Sequence, residues 1–475
     1  MKMTPLIVDL DGTLGLNDSL LDAIATAAIR NPFHIPKLVR ALLRGRYELK
    51  DSLAGIGAYS PHSIPLRDGF VDYLKEQRAL GRELHLVTAS PQIVADGVAD
   101  RLGVFASATG SRDGINLKGA AKAEFLRTRF PEGFAYAGND SSDIDVWRHA
   151  SSILTVATTE KVRQTASQLG VTVERDFPAE RPRLTSWLRM MRIHQWSKNL
   201  LILVPLILAH GYTEQDSVIT QLLGFVCMGL VASGTYIFND LSDLDADRIH
   251  PTKRNRPLAS ADVSSISGAL WAVLLVVTGL TGAFLIDQVF GGLLIVYIIL
   301  TVSYSLRLKS IVLLDVIILS LLYALRVLMG IALLSVAVSP WLLVFTVFFF
   351  FSLSLAKRHV EIVRATASGS TGKVEGRGYL VSDGPLTLSL GIASSLAAVL
   401  LLFLYMTNDA YPIDAYQHPA WLWGVSPFVF LWTSRIWLKS HRGDLDDDPV
   451  SFALRDPPSI LLGALVAACL ALAIL

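Results

Sequence analysis

The hydrophobic pattern changes character along the chain. Up to about residue 184 it reads like a soluble protein, with short apolar runs ending in polar residues. From about residue 199 onward, apolar runs recur at close to the ~20 residues needed to cross hydrocarbon. Nine are expected, at 199–212, 219–238, 264–285, 289–305, 311–334, 340–356, 386–406, 417–437 and 457–475. The separation at 285–289 rests on Asp287 and Gln288 alone. A stretch with Pro178, Pro182 and several charges precedes them, followed by SWLRMMRIHQWSKNLL. Its Trp and Arg residues suit an interfacial helix.

The 475 residues carry a formal charge of +1, which points to no particular partner and gives no reason to expect nucleic acid. The distribution of charge is more informative. The loops after the first, third, fifth and seventh apolar runs contain no Lys or Arg, whereas those after the second, fourth, sixth and eighth are basic. The positive-inside rule then places the amino-terminal part in the cytoplasm and the carboxyl terminus outside. The chain is read as an integral protein of a bacterial-type cell membrane. MKMTPLIVDLDG lacks the basic and apolar regions of a signal peptide. Cys227 and Cys469 fall inside apolar runs and are read as packing residues.

Three apolar segments of the soluble part end in polar residues: PLIVDLDGTL, ELHLVTAS and FAYAGNDSSDIDVW, with NLKGAAKAEFL between the last two. Strands of this kind hand their carboxylates to loops at the carboxyl edge of an α/β sheet. The order Asp9, Thr88, Lys118, Asp140 resembles the four motifs of the haloacid dehalogenase superfamily. The resemblance implies a Rossmann-like domain over 1–175, with a small helical cap at about 15–63. It makes Asp9 a phosphoryl-accepting nucleophile and Asp11 the proton donor to the leaving oxygen. Thr88 and Lys118 would hold phosphoryl oxygens, and Asp140, with Asp143 behind it, would hold Mg²⁺ together with Asp9. A degenerate domain kept as a scaffold is the alternative.

NDLSDLDADRIHPTKRNRP, residues 239–257, places four aspartates and a basic run between two apolar segments. On a helix continuing the second run, Asn239, Asp240, Asp243 and Asp247 fall within about 100° of one another, and Asp245 lies on the far side. Asp245 is therefore read as solvated or structural. Clustered carboxylates suit Mg²⁺ carrying a diphosphate, with Lys253 and Arg256 taking the remaining phosphate charge. The NDxxDxxxD pattern and the basic segment after it resemble the UbiA superfamily of intramembrane prenyltransferases. That resemblance implies an all-α membrane domain of nine helices over 199–475, joined to the first domain by a linker and interfacial helix at 176–198.

One feature departs from the aromatic-acceptor members of that superfamily. After the sixth run, where they usually carry a second aspartate pair, this chain offers Lys357, Arg358, Glu361, Arg377 and Tyr379. Together with Tyr304, Lys309, Asp315 and Arg326, this is similar to the branch that makes decaprenyl-phosphate phosphoribose. The resemblance implies phosphoribosyl pyrophosphate as donor, a polyprenyl phosphate as acceptor and Mg²⁺ in both domains. Asp315 and Arg326 share a helix face but stand about 16 Å apart along it, too far to pair. Arg326 is either a site residue or a structural one bonded to another helix. Two other readings stay open: prenyl transfer to an aromatic or other acceptor, and a non-catalytic transporter or scaffold. Self-association is also left open.

Overall fold

Leu6, Ile7 and Val8 form an inner strand of a six-stranded parallel sheet. This is a computed structural model, and it describes residues 3–475 apart from 113, 180–183, 370–371, 375–377, 411–415, 446–448 and 454. The strands are β1 (Leu6–Val8), β2 (Leu84–Pro91), β3 (Ser107–Ser111), β4 (Ala135–Gly138), β5 (Ser152–Val156) and β6 (Thr172–Phe177), in the order β3-β2-β1-β4-β5-β6. Leu6 and Val8 pack with Leu84, Leu86, Ala135 and Ala137 in one core cluster. Ile7, Val87, Tyr136 and Ile153 belong to a second. Side chains alternate between faces, and both faces are covered, so the inner strands read as nearly unbroken apolar runs.

β1 pairs with β2 on one side and β4 on the other, so the direction of winding reverses there. A crevice opens outside the carboxyl ends of strands at such a point. Asp9 follows β1, Thr88 lies in the carboxyl half of β2, and Asp140 follows β4. Between β1 and β2 the chain makes α1 (Ser19–Arg30), α2 (Ile35–Arg44) and α3 (Arg46–Gly55). A bridge between Gly15 and Leu66 closes the base of this helical insertion. Ala23, Ala27, Leu38, Ala41, Leu49 and Leu53 give it a small core of its own. Asp18 caps α1 by accepting from the amides of Leu20 and Leu21.

Two compact units divide the chain, Met1–Met191 with Tyr236–Val273, and Arg192–Thr235 with Leu274–Leu475. The aspartate-rich segment thus belongs to the same unit as the sheet. Among the described residues, seven helices are long and apolar enough to cross a membrane: Gln215–Ser242, Ser265–Ile286, Gln288–Leu306, Leu314–Leu334, Pro340–Ala367, Val381–Ala410 and Pro457–Ile474. Asp287 separates the third from the second and caps it, accepting from the amide of Phe290. The two remaining expected spans are shorter. The one at 199–212 is a 3₁₀ stretch, Ile193–Leu203, followed by Val204–Leu208. The one at 417–437 is split into Pro419–Gly424 and Val425–His441. Pro205 and Pro419 stand at the starts of their segments, where a ring nitrogen without N–H cannot extend a preceding helix.

Candidate functional site

At the carboxyl edge of the sheet, Asp9, Asp11, Lys118, Lys122 and Asp140 line a cavity of about 190 Å³. Lys122 Nζ donates to Asp9 Oδ1 at 2.9 Å and to the Tyr136 hydroxyl at 2.9 Å. Tyr136 in turn donates to Asp143 Oδ1 at 2.9 Å. Burial pushes Asp9 up to about 7, with Lys122 opposing the rise and Asp143 adding to it. Asp11 is held on both oxygens. The Ser19 amide donates to Oδ1 at 2.8 Å, and Ser90 Oγ donates to Oδ2 at 2.6 Å.

Glycine is required twice in these loops. Gly12 has φ +73°, and a Cβ there would come within 2.3 Å of the Asn139 amide nitrogen. A Cβ on Gly138 would meet the Asp143 carboxylate at 2.7 Å. The four sequence-predicted residues Asp9, Asp11, Lys118 and Asp140 line the cavity. Thr88 and Asp143 stand behind it. Thr88 is fully buried, with its Oγ1 accepting from the Ser90 amide. Asp143 Oδ2 accepts from the amides of Asn139 and Asp140 and so shapes that loop.

Two lysines at the site had not been expected. Lys122 lies in the first turn of the helix Ala120–Arg129, whereas Lys118 precedes that helix, so a lysine four residues on was its only signal in the sequence. Lys50 comes from α3 and reaches the Ala89 carbonyl and, at 3.0 Å, Asn116 Oδ1. Burial lowers its pKa. Among the described residues, no group of three or more His, Cys, Asp or Glu gathers closely enough to hold a metal alone. Asp9 and Asp140 facing one cavity are nonetheless a fitting donor set for Mg²⁺, which takes one or two carboxylates and fills its octahedron with substrate phosphate and water.

In the aspartate-rich segment the long helix stops at Ser242, and Asp243 leads into Leu244–Ile249. The register survives the break, since the Asp243 amide donates to the Asn239 carbonyl and the Asp247 amide to the Asp243 carbonyl. Asp240 and Asp247 therefore converge and are both buried. Arg256 Nη1 bridges them, at 3.1 Å from Asp240 and 2.5 Å from Asp247, and Lys253 Nζ stands 4.0 Å from Asp247. Arg256 thus lies between the carboxylates instead of behind them, so a diphosphate would have to draw it aside. Two adjacent carboxylates again suit Mg²⁺ with a diphosphate. Asp245 faces elsewhere and takes hydrogen bonds from Arg30, Ser60 and Ser63.

The second unit holds a buried polar network. Arg358 Nε donates to Asp315 Oδ2 at 2.7 Å, Nη1 to both oxygens of Glu361 at 2.7 Å, and Nη2 to the Tyr304 hydroxyl at 3.4 Å. Tyr379 donates to the other Asp315 oxygen at 2.8 Å. Four predicted site residues, Tyr304, Arg358, Glu361 and Tyr379, thereby meet around Asp315. Arg326 is bonded elsewhere, to Asn199 Oδ1, the Leu322 carbonyl and the Tyr297 hydroxyl, and its guanidinium lies over the rings of Tyr297 and Tyr323. Lys357 lines a cavity of about 80 Å³ with Lys198 and Tyr323. Lys309 sits in the short turn Leu308–Ser310, and Arg377 lies outside the described residues.

Residues 200–454 match the UbiA prenyltransferase family, and residues 6–148 match the haloacid dehalogenase-like hydrolases. An uncharacterized protein of Sinorhizobium fredii is 42% identical over 99% of this chain and 91% of its own length. The nodulation protein NoeC of Azorhizobium caulinodans is 30% identical over 60% of this chain and 92% of its own. The decaprenyl-phosphate phosphoribosyltransferase of Mycobacterium tuberculosis is 29% identical over 56% of this chain and 87% of its own. The chain belongs to the UbiA prenyltransferase family and carries, ahead of its membrane domain, a haloacid dehalogenase-like domain.

Proposed function

We propose that the membrane domain transfers phosphoribose from phosphoribosyl pyrophosphate to a polyprenyl phosphate, and that the haloacid dehalogenase-like domain then removes the 5-phosphate. The observation that carries the first step is the network of Arg358, Asp315, Glu361, Tyr304 and Tyr379. It stands where a prenyltransferase acting on an aromatic acceptor would need a second carboxylate pair. The guanidinium is itself engaged in that network. Lys357, one residue before it, lines a cavity with Lys198, and two cations there suit a donor and an acceptor that both carry phosphate. The relationship to a protein named decaprenyl-phosphate phosphoribosyltransferase supports the same reading.

An oxygen of the lipid phosphate attacks the anomeric carbon as the bond to diphosphate breaks, and diphosphate leaves with the electron pair. The acceptor is already ionised, so no general base is needed. Asp240 and Asp247, with Asp243 beside them, would hold Mg²⁺, which would supply positive charge against the charge growing on the leaving group. Arg256 and Lys253 move from the carboxylates to the diphosphate as it enters. In the first domain Asp9 attacks phosphorus, Asp11 protonates the ribose oxygen that leaves, and Lys118 and Lys122 hold the phosphoryl oxygens. Nine spans, with the phosphatase on the cytoplasmic side, complete the arrangement.

Membranes supplied with labelled phosphoribosyl pyrophosphate or, separately, a labelled prenyl diphosphate test the transfer. Label entering an acid-labile lipid supports phosphoribosyl transfer. Label leaving the prenyl diphosphate instead supports an aromatic or other acceptor, and no transfer from either donor points to a non-catalytic membrane protein.

A further inference from the structure

Helix α1 links two sites that the sequence keeps more than two hundred residues apart. At its first residue, the Ser19 amide donates to Asp11 Oδ1, and Ser19 Oγ pairs at 2.7 Å with Ser90 Oγ, which itself donates to Asp11 Oδ2. One turn on, Asp22 receives Arg248 Nη2 and Ser265 Oγ, each at 2.6 Å. Arg248 belongs to the aspartate-rich segment, immediately after Asp247. The Asp22–Arg248 pair is well shielded, with side chains 13% and 5% exposed. At the far end of the helix, Arg30 donates to Asp245 Oδ2 at 2.9 Å. Ser60 and Ser63, in the last part of the cap, supply two further bonds to Asp245 at 2.8 Å each.

We infer that Arg248 and Asp245 are positioning residues for the phosphatase reaction: through α1, the transferase's aspartate-rich segment sets where Asp11 stands. The inference rests on the phosphatase reading proposed above. It follows from how the bonds are distributed. Asp11 is fixed by the amino end of a helix whose first turn and carboxyl end are both tied to residues 244–249. A helix is stiff along its axis, so a shift at Asp22 is carried one turn to Ser19. The cavity between these surfaces, bordered by Asn17, Asp22, Tyr59, Asp245 and Arg248, holds only about 20 Å³, room for about one water. The contact is therefore packed, with little slack to absorb movement. Proton donation from Asp11 to a leaving oxygen is sensitive to placement, and an error near 1 Å costs up to ~100-fold in rate. Occupancy of the diphosphate site, by drawing Arg256 from Asp247, would move the residue next to Arg248, so the phosphatase would respond to the state of the transferase.

The test uses the full chain in detergent with ribose 5-phosphate, whose alkoxide needs a proton to leave, and Mg²⁺, comparing wild type with Arg248→Gln, Arg248→Lys and Asp245→Ala. We expect Arg248→Gln and Asp245→Ala to lower kcat roughly 10- to 100-fold with KM within about twofold, since placement and not binding is lost. Arg248→Lys, which keeps the charge, should recover most of the loss. Hydrogen exchange of the peptide covering 16–22 supplies a readout independent of turnover, because the Ser19 amide is itself the donor to Asp11. It should exchange faster in Arg248→Gln than in wild type. Unchanged kcat in both loss variants, or unchanged exchange at Ser19, overturns the inference. A wild type as inert as Asp9→Asn overturns the phosphatase reading itself, and the exchange measurement then still decides whether α1 is held by Arg248.

Discussion

Asp9 shows what a single buried carboxylate requires at this site. Its neutral form neither attacks phosphorus nor binds a cation, and burial moves its titration to about 7. Mg²⁺ favours the ionised form, so metal binding and proton loss are linked. The phosphatase rate at sub-saturating Mg²⁺ should therefore fall as pH drops through about 7, and saturating Mg²⁺ should move that limb to lower pH. Rate profiles at two Mg²⁺ concentrations check this, and limbs that coincide would count against Asp9 as a shared nucleophile and ligand. Lys122, the partner of Asp9, should matter more than Lys118 to this limb. Lys122→Gln removes the charge that opposes the rise and should shift the limb upward. In the transferase, Asp240→Asn and Asp247→Asn should each abolish lipid labelling while the protein stays folded in detergent, because each removes half of the adjacent carboxylate pair.

Elements decide which of these side chains meet. Arg358→Met would leave Asp315 buried without its cation, a loss of ~3–5 kcal/mol. Thermal unfolding in detergent should register it directly, alongside lost phosphoribosyl transfer. Arg358→Lys should recover stability only in part, because one ammonium cannot serve Asp315, Glu361 and Tyr304 in the geometry of a planar fork. This pairing was not legible in the sequence. Asp315 and Arg358 are 43 residues apart on two helices, and helical periodicity gives a face on each helix without giving the register between them. The same limit hid Lys50, which enters the phosphatase cavity from the cap. What could be read were features set by one element. Asp9, Asp11 and Asp140 stand at strand ends, where the α/β sheet must open its crevice. Asp240 and Asp247 fall on one helical face and Asp245 on the other, and the structure keeps that division although the helix breaks at Asp243. The 3₁₀ stretch before Pro205 replaces one expected long helix, because composition marks a segment as apolar but does not show where its hydrogen-bond ladder fails. Gly12→Ala tests the loop chemistry at the same scale. With φ +73° and Asn139 at 2.3 Å from a Cβ, it should abolish phosphatase turnover and leave lipid labelling by the membrane domain in place.

At the scale of the whole molecule, the proposed function joins the domains through the order of two reactions. On the proposed transfer the product would keep a 5-phosphate on ribose, and a phosphate monoester is the class of bond that an aspartate nucleophile with a neighbouring proton donor cleaves. The measurement that bears on this most directly is mass spectrometry of the lipid made by membranes containing wild type or Asp9→Asn, each supplied with phosphoribosyl pyrophosphate and a polyprenyl phosphate. Asp9→Asn should accumulate the lipid with its 5-phosphate retained, and wild type should release lipid-linked ribose lighter by one phosphoryl group. The same lipid with the same phosphate content from both proteins, or no ribose on the lipid from either, would contradict the two-step reading.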